Sequence, residues 1–238
     1  MSDSLPVQAL SAMHAAEWRP GLDDPVPHGE VFASSREASG AAVALAFALD
    51  RMRLAQDGVD QRPWLWVQDA GARRLTGRPY RPGLPRAFRH RLIHVSAKTP
   101  EDALFALEEG LRCRDLAFVI GEIAGNPRAL GLTASRRLGL AVERHGVPLW
   151  LIRLDAKHDL GSARLRWDVE AEPSPRPRWN AEAPGIASWR AELFRARRHP
   201  PGKWILRDDG SSLTAAVRGA PDHGDMVHPA GAGPLAAG

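Results

Sequence analysis

Residues 30–50, EVFASSREASGAAVALAFALD, impose a strand, a tight loop and a helix in immediate succession, and no other stretch constrains the fold as strongly. Val31 and Phe32 make a short apolar strand, residues 34–40 are small and polar, and from Ala41 onward the Ala and Leu content is that of a helix interior. This is the form of a phosphate loop. A working loop carries a glycine, four free positions, a second glycine, then Lys and Ser or Thr, so that amides, an ammonium and a metal-holding hydroxyl converge on phosphates. With Gly40 as the second glycine, Ser35 stands at the first, Ala41 at the lysine position and Ala42 at the hydroxyl position. Each charge-assisted contact is worth roughly 1.5–3 kcal/mol, so losing both weakens nucleotide binding by orders of magnitude. The sequence therefore predicts the architecture without the catalysis, and no cofactor; an active loop would need another cation, for which Arg36 is the candidate.

A chain of 238 residues can bury one good core. It has no run of about 18 apolar residues and no basic, then hydrophobic, N-terminus, so the expectation is a cytoplasmic protein without a membrane partner. The single cysteine, Cys113, excludes an internal disulfide and a cysteine-based zinc site, and its half-apolar helical setting predicts a buried or half-buried thiol. Net charge is +4 and the sequence pI about 9.9, compatible with nucleic-acid binding. Nearly all the basic residues are arginine, which a GC-rich genome also produces, and this halves the weight of the argument.

In order, residues 1–27 read as a lead-in with a short helix, 28–210 as one α/β domain, and 211–238, with almost no large apolar residue, as a disordered tail. Residues 61–69 are a turn and a buried strand with Trp64 and Trp66 on one face, as core or, less favoured, adenine-stacking residues. Residues 70–91 hold Arg73, Arg74, Arg78, Arg81, Arg86, Arg89 and Arg91 without one acid, and their prolines and glycines predict an irregular loop. Such a loop suits nucleic acid or an acidic partner, or it is solvated and pairs with acids elsewhere. A strand at 92–97 leads to a helix capped by Thr99 with Pro100 at its first position. His90 and His94 fall along an extended segment, too far apart for a compact metal site. Residues 116–123 form a central parallel strand in which Gly121 takes the usual place of a magnesium-managing aspartate and Glu122 is a residual acid. A helix capped by Thr133 and a strand at 147–154 follow, then a half-exposed antiparallel strand at 163–169 and two strands joined through residues 199–202. Arg195, Arg197, Arg198 and Lys203 crowd that hairpin tip, as a phosphate-backbone contact or as a guarded sheet edge.

Parallel strands alternating with helices, then an antiparallel C-terminal extension, predict a three-layer α/β fold with a mostly parallel central sheet. The order resembles the core of RecA-type recombinases. EDALFALEEGLRC, AFVIGEI, LTASRRLGLA and WRAELFRARRHPPGKWIL resemble the ImuA family, the RecA-like member of a bacterial damage-inducible mutagenesis cassette, over residues 27–210. The resemblance implies an accessory role in the SOS response, in error-prone translesion DNA synthesis. The implied partners are ImuB, a Y-family-like protein without catalytic residues, and an error-prone replicative-type DNA polymerase, with RecA and DNA as further candidates. Two other readings stay open: a regulatory inhibitor of RecA filaments or of cell division, and a DNA-dependent ATPase with an atypical loop.

Overall fold

The computed structural model describes residues 27–54, 60–180 and 182–217; the short helix expected before residue 27 and the end of the chain after 217 lie outside the described residues. β1 (His28–Ala33) turns directly into α1 (Ser39–Leu54). β2 (Trp64–Gln68) is followed by α2 (Ala70–Thr76) and the short α3 (Arg86–Arg89), then β3 (Leu92–Ser96) and α4 (Pro100–Arg112). β4 (Val119–Ala124), α5 (Leu132–His145) and β5 (Leu149–Leu154) complete the alternation. β6 (Leu165–Ala171), β7 (Ala187–Ala196), β8 (Gly202–Asp208) and β9 (Leu213–Val217) follow without a helix.

These strands form one sheet in the order β3-β2-β4-β5-β1-β6-β7-β8-β9. Pairing is parallel from β3 through β6 and antiparallel from β6 to β9. The parallel strands with helices on both faces, followed by an antiparallel edge, make a RecA-like α/β fold, as expected. α1 covers one face, where Phe47 stacks on Trp150 with ring centroids 4.7 Å apart and lies 5.4 Å from Trp167. The Trp150 indole lies across Gly29, where a Cβ would come within 2.2 Å of its ring. α4 and α5 cover the other face through Leu107, Leu111, Leu138 and Val142, all buried against Leu65, Val119 and Leu151. Removing an indole such as Trp150 from this packing costs about 3–5 kcal/mol.

Trp64 and Trp66 do share the α1 face, 5.9 Å apart, with Trp64 stacked on Phe118. Thr99 caps α4 as read, accepting from the Asp102 amide at 3.1 Å, with Pro100 in the first turn. Several local expectations are corrected. Residues 70–91 are not wholly irregular, because the Asp69 carboxylate accepts from the Ala72 amide at 2.6 Å and caps α2, which ends at Gly77 with φ 76°. α5 begins after Gly131 rather than after Thr133, and no side chain caps it. Cys113 follows α4 at its exposed end instead of being buried, since the chain turns there toward β4. β6 is antiparallel only to β7; its other edge pairs in parallel with β1, and Arg166 is buried where a half-exposed strand was expected. Past Gly210 the chain still forms β9, because Leu213 is buried and its amide donates to the buried Asp50 carboxylate of α1 at 2.9 Å.

Candidate functional site

The loop between β1 and α1 lies at the carboxyl ends of the parallel strands, where open α/β sheets bind ligands. Gly40 is fixed by close approach: a Cβ there would stand 2.8 Å from the Ala33 Cβ and 3.1 Å from the Ile152 Cγ2. That brings the first turn of α1 down onto β1 and β5, as a phosphate loop requires. Two donors at the start of the loop, however, are already engaged. The Ser35 amide donates to Asp155 Oδ1 at 2.9 Å, and the Arg36 amide to Ser34 Oγ at 3.2 Å. Glu37 accepts from Ser39 Oγ at 2.8 Å and from the Ala171 amide at 3.1 Å. Asp155, exposed beside the loop, is held to its first residues, and hydrogen bonds from Ser35 keep its carboxyl below its ordinary 3.8. Ala41 and Ala42 present only methyl groups, partly buried against the core under α1.

Glu122 of β4 faces the same cleft, whereas Gly121 faces α4, where a Cβ would come within 3.0 Å of Leu107 and 2.8 Å of Leu151. An acid at position 121 would point between sheet and helix, so Gly121 does not hold the aspartate's place. The Glu122 carboxyl, 1% exposed, receives Trp66 Nε1 at 3.1 Å and Gln68 Nε2 at 2.8 Å on Oε2, and its Oε1 lies 2.7 Å from Thr76 Oγ1. Burial raises its pKa above 4.5, opposed by hydrogen bonds to Thr76, Gln68 and Trp66, with nearby Asp69 adding to the rise. Thr76 Oγ1 also lies 3.0 Å from the Ala72 carbonyl and has one proton to give. The Thr76 hydroxyl donates to Glu122 Oε1 and also stands within reach of the Ala72 carbonyl, its one proton shared between two acceptors. The residual acid thereby pins α2 to β2 and β4.

The cleft over these residues encloses about 400 Å³ and brings Arg36 together with Arg78, whose chain segment runs from α2 along the opposite wall. Arg73 and Arg74 of α2 flank Arg78 on the outer surface. The other arginines of residues 70–91 do not join them in one patch. Arg81 donates to the Leu92 carbonyl at 3.2 Å, and Arg89 Nε reaches His90 Nε2 at 3.3 Å. Arg91 is structural, bonding the Ala87 and Asp60 carbonyls and lying 4.9 Å over Phe88. Arg86 is exposed on α3. The hairpin set also divides: Lys203 pairs with Glu192 at 3.0 Å, Arg198 is exposed, and Arg195 and Arg197 turn to a groove beside α5. His94 bonds Gln68 at 2.9 Å rather than joining His90.

The sequence reading missed a buried charge cluster on the sheet face opposite α1. Arg166 Nε lies 2.6 Å from Glu30 Oε2, Arg153 Nη2 lies 2.9 Å from Asp159 Oδ2, and Arg166 Nη2 lies 3.2 Å from Asp159 Oδ1. Both guanidiniums stand over the Phe32 ring, at 5.4 and 5.0 Å. Two cations and two anions balance, and the signal was present as single charges, Glu30, Arg153 and Arg166, inside apolar strands. The cluster fixes the turn after β5 that presents Asp155 to the loop.

No protein-family model matches the chain. Over 135 residues it is 36% identical to the protein named ImuA from two strains of Caulobacter vibrioides, a match covering 52% of this chain and 52% of each relative. The chain therefore spans about half the length of the curated relatives it matches.

Proposed function

We propose, on the premise of ImuA family membership that this match supports, that the chain is a non-catalytic RecA-like accessory protein of damage-induced, error-prone DNA synthesis. It bridges ImuB and a specialised polymerase rather than turning over nucleotide. The observation that carries the non-catalytic part is the loop itself: Ala41 and Ala42 at the lysine and hydroxyl positions, with the Ser35 amide taken by Asp155. A phosphate entering the cleft would meet the acids Glu37 and Glu122 as well as Arg36 and Arg78, with no lysine at the loop to receive it. The retained loop geometry serves the frame, because Gly40 seats α1 and Asp155 ties the turn after β5 to β1. The exposed arginines Arg73, Arg74 and Arg78 supply a surface for an acidic partner or for DNA.

Affinity capture of ImuB, RecA and the error-prone polymerase by the full chain, with and without ATP, tests this reading. Capture of ImuB or the polymerase that is unchanged by ATP is the expected result. Capture that needs ATP and is lost on Arg36→Ala would favour the atypical ATPase, whose one structural support is the convergence of Arg36 and Arg78 on the cleft.

A further inference from the structure

A second groove lies at the opposite edge of the sheet from the loop, at the amino ends of the parallel strands. It encloses about 510 Å³ and draws Arg136 from α5, Arg164 from the lead into β6, and Arg195 and Arg197 from the end of β7. These residues are far apart in sequence. They meet because β6 pairs with both β1 and β7 and because the Arg197 amide donates to the Arg164 carbonyl at 3.0 Å. Glu143 is, among the described residues, the one acid lining the groove, and it pairs with Arg164 at 2.6 Å. Among the described residues, Arg136, Arg195 and Arg197 form no ion pair and are exposed, so the groove is left with an excess of guanidinium charge.

His28 lines the groove and is 2% exposed, and its Nε2 has no hydrogen-bond partner among the described residues. A buried polar atom left this way costs free energy unless a ligand or water meets it. Burial first, then the charge of Arg164, lowers its pKa from 6.5 to about 4, so the ring is neutral at pH 7. Leu140, 54% exposed, supplies an apolar wall beside the arginines.

We propose that this groove, formed by Arg136, Arg164, Arg195 and Arg197 over His28, binds the phosphodiester backbone of a single nucleic-acid strand. Guanidiniums pair bidentately with phosphate. Their spread over three elements suits successive phosphates better than one compact anion, and an apolar wall suits a sugar or base face. An acidic peptide would use the cations but has no use for that wall. The site is independent of the loop cleft and of whether the chain bridges polymerases.

The test is fluorescence anisotropy with a labelled oligothymidylate on the full chain, comparing wild type, the combined Arg136→Gln, Arg195→Gln, Arg197→Gln variant, and a charge-matched control carrying Arg114→Gln, Arg144→Gln and Arg176→Gln at exposed positions outside the groove. Circular dichroism establishes that each is folded. The groove variant should bind at least about tenfold more weakly, with a salt slope shallower by about 2, since each lost phosphate contact removes about 0.7. The ring signals of His28 in NMR spectra should shift on adding the oligonucleotide to wild type, which diffuse surface charge would not cause. Unchanged affinity in the folded groove variant, loss only in the control, or a stationary His28 would overturn the proposal. So would displacement by polyglutamate as effective as by unlabelled oligonucleotide, or binding of inorganic phosphate alone.

Discussion

Glu122 keeps its place in the cleft with its carboxyl already engaged by neighbouring side chains. Trp66 and Gln68 donate to one of its oxygens and Thr76 to the other. Its folded pKa lies above the ordinary 4.5, so the folded state holds the proton more tightly than the unfolded chain. Its contribution is therefore full below pH 4.5 and declines as pH rises through the folded value. Glu122→Gln keeps an acceptor for Trp66 and Gln68, turns the Thr76 contact round so that Thr76 donates to the Ala72 carbonyl alone, and should remove that decline. Glu122→Ala strands Trp66 Nε1 and Gln68 Nε2 and should cost about 2–4 kcal/mol. Urea unfolding at pH 5 and pH 8 separates the two: the Gln variant gains on wild type at the higher pH, while the Ala variant loses at both. Loss at both by the Gln variant would mean the carboxylate itself is required.

At the scale of elements, the chain order was legible because its signals are local. Thr99-Pro100, the unbroken apolar run of β4 and the strand, loop and helix of residues 30–50 each declare themselves within a few positions. What escaped was set by distant partners. Asp69 reads as a strand end until Ala72 is seen to fold back on it, and β9 reads as tail because Leu213 gains its meaning from Asp50, on α1. The arginines were legible as a composition and not as places: Arg91 turned inward, Arg195 and Lys203 parted, and Arg136 joined a groove that no spacing announces. The β9 account makes its own prediction. Asp50→Ala should cost about 1–3 kcal/mol and speed amide hydrogen exchange across Leu213–Val217 more than in β8. Uniform acceleration over the whole sheet would instead assign Asp50 a general role in the core.

At the scale of the whole fold, a nine-stranded sheet among the described residues keeps the RecA-like frame, and Asp155 takes one amide of its loop. The buried cluster of Glu30, Arg153, Arg166 and Asp159 holds the turn after β5, that turn presents Asp155, and Asp155 takes the Ser35 amide. Burying such charges costs more than their pairing returns unless the geometry is held, which makes them weak sources of stability and sensitive to loss of one partner. Their value here is in placing a carboxylate against the loop. Calorimetric titration of the full chain with ATP and magnesium addresses this arrangement directly. The account predicts no binding tighter than about 1 mM, equivalent to about 4 kcal/mol, in wild type and in Arg36→Ala alike. Micromolar binding that Arg36→Ala abolishes would contradict it and make the loop a working nucleotide site.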